Sequence, residues 1–589
     1  IDPEYKFEAI NVETQQQNTN SLLWWMKRSI AMRKRFKAFG RGDIKFLSPT
    51  NSKVLAFLRR YEDEIILVIA NLSRFAEAVE IELDEYKDYT PVEVFSQNKF
   101  PGIKDEPYTI TLAPHGYYWF QLRKNRTTEE LSEQPLPELH LEHWQDLTSH
   151  HMLPQLAENV LPQYMSKCRW YGGKARTVQK MLVKEIFPLP VKEEPVVWLI
   201  VEVNYNEGLP ELYQLALAFA TGPQAEKVHD SCPQSIVAAG TVGEANGYFY
   251  DAVYSEIFRD ALFQRLIKNK TLEIPGDGEL HFEAVKGVKL QPKEGKKYVN
   301  SRVLSADQSN TSIVYDNRYF LKLYRKLDRA INPDLEITRF LTEIAKFEQT
   351  PKYLGSVWHS RGNMPMLVLG MMLEMVPNQG DAWEYIGDSV KRFMERVKTQ
   401  ADLMPAGAPA SDLFNPVDFH ELSEEWQQLL GGAYVERVNL LGQRTAEMHL
   451  ALASHPEDKD FAPEDFSLHY QRSLYSSLQS LVRSNFDRLK KMMNKLPEHV
   501  RPEAEEVLNL RSEIMDSFKQ IFAHKINTLK IRTHGDYHLG QVLFTGKDFV
   551  ILDFEGEPAR SYSERRLKRS PLRDVAGMIR SFHYAAYNV

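Results

Sequence analysis

Two aspartates and a glutamine near the end of the chain have the spacing of a phosphoryl-transfer centre. Asp536 lies in the stretch THGDYHLGQ, Gln541 follows five residues later, and Asp553 closes the apolar strand FVILDF after a turn-linked hairpin. Phosphoryl transfer requires a carboxylate beside the acceptor hydroxyl and oxygen ligands that hold Mg²⁺ on the nucleotide phosphates. The spacing therefore predicts Asp536 as the catalytic base and Gln541 and Asp553 as Mg²⁺ ligands, with Glu555 assisting a second metal ion.

Each aspartate alone is more typical of a loop cap or an ion-pair partner, but their order matches a kinase catalytic loop followed by its metal-binding motif. Gln541 stands where most kinase-like sequences have Asn, and Asp553-Phe554-Glu555 stands where they have Asp-Phe-Gly. An amide carbonyl still binds a hard cation. His534, just before the loop, fits a bracing role and a functional role equally well, whereas His449 in GQRTAEMHLALA is predicted to be a hydrogen-bonded structural histidine.

A kinase-like centre also requires an upstream lysine for the nucleotide phosphates and a helix glutamate that holds this lysine. Lys322 lies in the strand YFLKLYRKL, and Glu336 lies in the first turn of the helix that Asn332-Pro333-Asp334 announces. We therefore predict that Lys322 binds phosphate and that Glu336 holds it, with Glu343 as the competing partner. A solvated strand lysine is the alternative interpretation of Lys322.

The nucleotide site must be completed by a loop over the phosphates and a strand beside the adenine. The stretch SADQSNTS has the right position but no glycine, so Ser309, Asn310 and Thr311 would contact phosphate through hydroxyls and backbone N–H groups. Glu374 and Met375 end the apolar strand MLVLGMMLEM and are predicted to form the adenine hinge. A buried strand with an ordinary exit loop would have the same pattern.

Charge and composition exclude several classes of protein. The 589 residues contain 73 Lys and Arg against 80 Asp and Glu, a net charge of −7, which argues against a general nucleic-acid binder. No run of about 18 apolar residues and no signal peptide are present, which predicts a cytoplasmic protein without a membrane partner. Two cysteines, Cys168 and Cys232, are too few for a disulfide framework or a zinc site.

The pattern of apolar periods and turn residues predicts a multidomain α+β chain. An amphipathic helical start is followed by short antiparallel strands, a charged linker, an α/β or α+β unit, and the two parts that surround the motifs above. The predicted boundaries are 1–42, 43–122, 123–138, 139–295, 296–376 and 377–589.

The motifs HGDYHLGQ and ILDFEGEP resemble the aminoglycoside-phosphotransferase-like kinases and, among these, bacterial maltokinases, whose pattern also carries glutamine at the position of Gln541. RWYGGKAR, EMVPNQGDAWEY and SPLRDVAGMIRSFHYAA support the same resemblance. It implies a bilobal protein-kinase-like fold with an N-terminal cap domain at 139–295, an N-lobe at 296–376 and a helical C-lobe from 377 that continues after Val589. It also implies ATP and Mg²⁺ as cofactors and maltose as the acceptor, giving maltose 1-phosphate.

Residues 1–122 resemble the end of the barrel and the C-terminal β-domain of trehalose synthases, which are α-amylase-type enzymes known to be fused to maltokinases. The resemblance implies a barrel end at 1–42, with the isomerase carboxylates upstream of Ile1 and the trehalose synthase barrel as a partner in the same polypeptide. A kinase for another sugar or aminosugar and a non-catalytic kinase-like scaffold are the alternatives. Whether the chain forms a homo-oligomer is left open.

Overall fold

The computed structural model describes residues 11, 12, 15 and 21–588, apart from 63, 88, 96–99, 105, 125–134, 175, 177, 192–194, 206–208, 275–276, 289, 292–298, 305–308, 363, 400–416 and 559. Most of the predicted linker and the first half of the predicted phosphate loop lie outside these residues. The chain divides into two compact units. The first comprises Ile1–Leu280, Lys296–Ile313 and Leu323–Leu327, and the second comprises His281–Gly295, Val314–Lys322 and Asp328–Val589.

The first unit begins with two helices and an antiparallel β-domain, as the change of apolar period predicts. Within it Val54, Ala56 and Leu58 are buried, and every second residue of their strand faces the core, which is the alternation of a half-buried strand. The helices span Leu22–Arg35 and Ala38–Arg41, and the strands span Asp43–Phe46, Val54–Tyr61, Glu64–Asn71, Glu77–Ile81, Tyr89–Glu93, Tyr108–Leu112 and Tyr117–Lys124.

A second sheet of the first unit follows the linker. Its central strands are apolar on both faces, and the strand Val196–Tyr205 pairs antiparallel with Glu211–Thr221 and with Val178–Leu189. Glu138–Leu141, Ile236–Val242, Ala245–Asp251 and Lys326–Leu327 complete this sheet. Thr271–Ile274 and Ser301–Val303 are further strands of the first unit, and Gly278–Ala284 begins in the first unit and ends in the second. The helices are Met152–Gln155, Leu161–Lys167, Gly222–Ser231 and Glu256–Ile267, with a π-helical turn at Leu156–Val160.

The second unit combines strands that precede the predicted catalytic motifs with a group of long helices. The strands that lie wholly in this unit are Tyr353–Arg361, Leu367–Glu374, Glu464–Asp465, Leu529–Lys530, Val542–Phe544 and Phe549–Ile551. The end of Thr311–Tyr315 and all of Tyr319–Leu323 except Leu323 also belong to it. The helices are Pro333–Arg339, Ala382–Thr399, Glu424–Leu430, Gly432–Leu452, Leu468–Met492, Arg501–Asn509, Arg511–Lys519, Tyr562–Arg565 and Leu572–Tyr587.

The core of the second unit lies directly beneath the predicted catalytic segments. The hairpin of Val542–Phe544 and Phe549–Ile551 buries Val542, Phe549 and Ile551 completely. These side chains share one hydrophobic cluster with the helices Gly432–Leu452 and Leu572–Tyr587. Because close-packed cores resist displacement, the hairpin fixes the residues on either side of it, Gln541 before and Asp553 after.

None of the helices in the described part of the chain is long and apolar enough to cross a membrane.

Candidate active site

Lys322 is the centre of a buried ion cluster in the second unit. It lies in the strand Tyr319–Leu323 and is only 7% exposed. Its Nζ is 2.8 Å from Asp334 Oδ2, 2.5 Å from Asp553 Oδ1 and 2.7 Å from Glu555 Oε1. A lysine buried to this extent requires paired carboxylates, since an isolated ammonium would be strongly destabilised. Lys322 is therefore no solvated strand residue.

Asp334 is the helix residue that holds Lys322, and local sequence explains its position. Asn332 caps the helix Pro333–Arg339, because its side chain accepts hydrogen bonds from the backbone N–H groups of Asp334 and Leu335. Pro333 occupies the first helical turn, where its missing N–H costs nothing. The cap places Asp334 in the first turn, where its Oδ1 also accepts the backbone N–H of Phe554 at 3.0 Å.

The prediction that Glu336 holds Lys322 is wrong. Glu336 instead accepts hydrogen bonds from Arg532 at 2.8 Å and from Arg566 at 2.6 Å, and these two guanidinium groups use both of its oxygens. Asp334 and Glu336 are two positions apart in the helix, and side chains at this spacing point to different sides of it. The competing choice, Glu343, forms an ion pair with Arg339.

Opposing effects set the protonation of the two acids that follow the hairpin. Burial would raise the pKa of Asp553, but the charge and hydrogen bond of Lys322, with smaller effects from His534 and a side-chain hydrogen bond from Gln541, hold it below the usual range. Burial raises the pKa of Glu555 to about 6, against the charge of Lys322. Asp553 therefore carries its charge at neutral pH, whereas Glu555 titrates closer to neutrality than an ordinary glutamate.

The cluster has a donor set suited to a divalent cation. One oxygen from each of Asp334, Asp553 and Glu555 lies within 4.8 Å of the others. Carboxylate oxygens are the ligands that Mg²⁺ prefers, and three carboxylates around one lysine leave an excess of negative charge. Asp553 and Glu555, which the sequence predicts as metal ligands, belong to this donor set, and Gln541 contacts Asp553. Asp334 is an additional candidate beyond those predicted.

The loop that carries Asp536 is fixed by Asp574 of the helix Leu572–Tyr587. The carboxylate of Asp574 accepts the backbone N–H groups of His534 and Gly535, each at 2.9 Å, and the His449 Nε2 at 2.9 Å. Asp574 is 1% exposed, and although burial would raise its pKa, the hydrogen bond from His449 and the charge of His534 lower it. A charged acceptor of this kind makes strong hydrogen bonds, so the backbone is held firmly directly before Asp536.

His449 and His534 each make a hydrogen bond that indicates a structural role. His449 is a satisfied structural histidine, as expected. His534 donates from Nε2 to the backbone carbonyl of Leu552 at 2.7 Å, and thereby ties the Asp536 loop to the strand end that precedes Asp553. This is the bracing role, and Asp536 itself is half-buried, as is His538.

Two close approaches leave no room for side chains around this loop. Gly535 has φ 86°, a conformation that favours glycine, and a Cβ there would meet the Cα of Gly556 at 3.3 Å. A Cβ on Gly577 would lie 2.7 Å from the carbonyl oxygen of Tyr537. The Asp536 loop is thus packed between the Asp-Phe-Glu-Gly segment and the helix that contains Asp574.

The residues predicted to contact the nucleotide are placed less favourably. The backbone N–H of Met375 is already donated to the carbonyl of Arg318 at 2.8 Å, and the Glu374 side chain is exposed near Lys352. Met375 therefore does not offer this N–H to an adenine. The prediction that Glu374 and Met375 form the adenine hinge now depends only on their position at the end of the strand.

Within the first unit, Thr311 does not have the predicted exposed hydroxyl. Thr311 is buried, and its Oγ1 accepts a 2.7 Å hydrogen bond from Arg325 Nε. The predicted phosphate contact through this hydroxyl is therefore wrong, and the hydroxyl makes a structural contact in the interior instead. Asn310 is also buried and donates to Ser309 Oγ at 3.2 Å. Ser309 is the exposed member of the three.

Comparison with known proteins assigns two parts of the chain. Residues 44–119 match the family described as maltogenic amylase, C-terminal domain, and residues 164–254 match the maltokinase N-terminal cap domain. The antiparallel sheets and the helices confirm the multidomain α+β class, and the second match supports the predicted cap domain. The chain thus carries a segment similar to the C-terminal domain of maltogenic amylases before a segment similar to the maltokinase cap, which is the combination that the sequence motifs indicated.

Relatives of both parts are known. Trehalose synthases from Pimelobacter sp. (strain R48) and Thermus thermophilus are 40% and 41% identical over 22% and 23% of this chain, covering 23% and 14% of their own lengths. A glucosamine kinase from Streptacidiphilus jiangxiensis is 22% identical over 48% of this chain and 54% of its own length. The chain thus spans less than a quarter of the trehalose synthases and about half of that kinase.

A solved structure of a glucosamine kinase in complex with glucosamine, ADP and inorganic phosphate shares 16% identity with this chain. It aligns with a TM-score of 0.45 over 73% of this chain and 79% of its own.

Proposed function

We propose that the second unit is the catalytic part of an ATP-dependent sugar kinase, and that its acceptor is the anomeric hydroxyl of maltose. The products would be maltose 1-phosphate and ADP. The observation that carries this proposal is the pairing of a rigidly held Asp536 loop with the cluster of Lys322 and three carboxylates, two segments joined through His534, Leu552 and the contact between Gly535 and Gly556.

Each residue has a defined part in the proposed reaction. Asp536 orients the acceptor hydroxyl and accepts its proton as the oxygen attacks phosphorus, while Asp574 keeps the loop in place. Lys322 contacts the phosphates of ATP, and Asp334 keeps its ammonium group directed into the site. Asp553, Glu555 and Asp334, with Gln541, would hold Mg²⁺, which neutralises charge on the phosphates when bound.

Position and charge account for such a mechanism without covalent chemistry by the protein. Holding the acceptor oxygen in line with the transferred phosphorus converts a bimolecular step into an effectively unimolecular one. A buried lysine directed by fixed carboxylates needs little reorganisation when charge develops on the leaving phosphate. Glu374 and Met375 remain proposed nucleotide contacts in the second unit, whereas the contacts of Ser309 and Asn310, which lie in the first unit, stay predictions from the sequence.

The choice of maltose rests on the match of residues 164–254 to the maltokinase cap domain. The alternative acceptor is an aminosugar, which the glucosamine kinase relative supports. The trehalose synthase relatives of the β-domain support a trehalose synthase barrel as a partner in the same polypeptide. A trehalose synthase supplies maltose, so such a fusion would deliver the acceptor of the kinase.

The decisive experiment compares Asp536→Asn with Asp516→Asn, an exposed aspartate that forms an ion pair with Lys519. Release of ADP is measured with maltose, glucose, glucosamine and water as acceptors, and nucleotide binding is measured by titration calorimetry. We expect Asp536→Asn to lower maltose-dependent ADP release by about 10²–10⁴-fold with ATP binding retained, and Asp516→Asn to behave as the parent chain.

The outcomes separate the alternatives. Faster turnover with glucosamine than with maltose would replace the acceptor and retain the kinase. ATP binding without ADP release for any acceptor would favour the non-catalytic scaffold. Full activity of Asp536→Asn would contradict the assignment of the catalytic base.

A further inference from the structure

A cavity of about 480 Å³ in the second unit is lined by an unusual number of basic side chains. It contains none of the residues assigned to the proposed kinase site. Its basic lining residues are Lys459, Lys530, Arg532, Arg566, Lys568 and Arg569. A cavity of this volume is in the range of small-molecule sites.

The acidic residues of the cavity do not balance this charge. Asp460 and Glu464 are the acidic lining residues, and both side chains are more than half exposed. Glu464 is shared between Lys530 at 2.8 Å and Lys568 at 3.2 Å, and Asp460 is 3.1 Å from Arg566. Ion pairs with exposed carboxylates contribute little, so the lining keeps an excess of positive charge.

Arg532 gives an independent indication that a ligand belongs here. It is 1% exposed, and its Nη2 donates to Glu336 at 2.8 Å, while its buried Nε has no hydrogen-bond partner among the described residues. A buried guanidinium donor without an acceptor destabilises the protein, and an anion or an ordered water in the cavity would relieve this cost.

Two nearly buried lysines complete the arrangement. The Lys530 side chain is 14% exposed and lies over the ring of Tyr470 at 4.6 Å, and the Lys568 side chain is 8% exposed and donates to the carbonyl of Lys459 at 2.8 Å. Contacts with neighbouring groups therefore fix the positions of both ammonium groups. Fixed lysine and arginine donors around one space are the chemistry by which proteins bind phosphate groups.

We propose that this cavity binds a phosphate-bearing small molecule, with the phosphate group among Lys530, Lys568, Arg532 and Arg566. Glu336 competes with the phosphate for the two arginines. The cavity is thus a second anion site, separate from that of the nucleotide, and its existence does not depend on which sugar the kinase phosphorylates.

The test measures binding of glucose 1-phosphate, inorganic phosphate and glucose to the full chain by isothermal titration calorimetry at fixed ionic strength. The variant is Lys530→Met/Lys568→Met. Its matched control is Lys391→Met/Lys519→Met, which removes two lysines that are about 60% exposed and paired with Asp388 and Asp516. Thermal unfolding of each variant verifies that the chain is folded.

We expect glucose 1-phosphate or inorganic phosphate to bind the parent chain and the control equally, to bind the cavity variant at least tenfold more weakly, and glucose not to bind with this dependence. Tighter binding of glucose 1-phosphate than of phosphate would identify a phosphosugar site, and equal binding would identify a free-phosphate site. Absence of binding by both anions at 10 mM, or equal losses in the cavity variant and the control, would overturn the proposal.

Discussion

Two buried cations lie only three residues apart in the chain and differ in every respect that matters for function. Arg325, in the first unit, is 2% exposed, and its Nη2 is 2.5 Å from Asp251 Oδ2 while its Nε donates to Thr311. Asp251 is fully buried and also accepts the Tyr164 hydroxyl. Lys322, in the second unit, faces three carboxylates, one of which, Asp553, is 32% exposed.

The difference separates a structural ion pair from the cluster that we propose acts in phosphoryl transfer. Around Arg325, one carboxylate is matched with one guanidinium, and the pair is closed to solvent. Around Lys322, negative charge is in excess and the Asp553 side chain reaches solvent, as the proposed binding of Mg²⁺ and phosphate requires. Burial and positive charge are common to both residues. Lys322 differs from Arg325 because its carboxylate partners outnumber it and are partly exposed to solvent.

The largest expected effect concerns the closed pair. Arg325→Met leaves Asp251 buried without its cation, and we expect the free energy of unfolding to fall by about 3–5 kcal/mol, measured by urea unfolding. Turnover at low temperature should change less than threefold. The double variant Arg325→Met/Asp251→Leu should recover part of the loss, and a double variant as unstable as the single one would contradict this interpretation.

Lys322→Met should have the opposite profile. We expect kcat for ADP release to fall by about 10²–10³-fold, because the phosphates lose a preorganised cationic partner. The loss of stability should be smaller than for Arg325→Met, since Asp553 and Glu555 reach solvent and Asp334 keeps the N–H of Phe554. Steady-state kinetics and urea unfolding of both variants test the contrast, which fails if Lys322→Met retains kcat.

Asp574→Asn probes how the loop is held. An amide in place of the carboxylate directs N–H toward one of the two backbone N–H groups of His534 and Gly535, so one strong hydrogen bond is lost. We expect kcat to fall by about tenfold and the KM for ATP to change little, because Asp536 shifts without loss of the Lys322 cluster. Asp574→Glu, which keeps the charge, serves as the control, and a loss confined to ATP binding would exclude a positioning role.

Glu555→Gln should have the smallest effect, and it tests whether the raised pKa of Glu555 influences the stability of the fold. Because burial raises the pKa of Glu555 to about 6, the folded state binds this proton more tightly than the unfolded state. Glu555 therefore contributes stability at low pH that is lost as the pH rises through about 6, by up to about 2 kcal/mol.

The variant should thus gain stability relative to the parent chain between pH 4.5 and pH 7.5. Denaturant unfolding at both pH values measures this difference. An unchanged difference between variant and parent across that range would show that the Glu555 carboxyl has an ordinary environment.

Sequence alone determined which segments meet. HGDYHLGQ and ILDFEGEP have residue types and spacing that only a loop and a following hairpin can bring together, and apolar periods separated the β-domain from the kinase-like part. Asp334 also had a visible signal, since Asn332-Pro333 announces a helix with an acid in its first turn. The choice between Asp334 and Glu336 depended on which face of the helix meets the strand, and this is set by packing.

Only the tertiary structure decided how charges are shared. Lys322 and Arg325 look alike in YFLKLYRKL, yet one faces Asp553 and Glu555, more than 200 residues later in the chain, and the other faces Asp251. The same holds for Asp574, which anchors the Asp536 loop from a helix 38 residues further on, and for the basic cavity, whose lysines and arginines come from separate segments. A sequence determines local periodicity and capping, whereas electrostatic partners are selected by long-range packing.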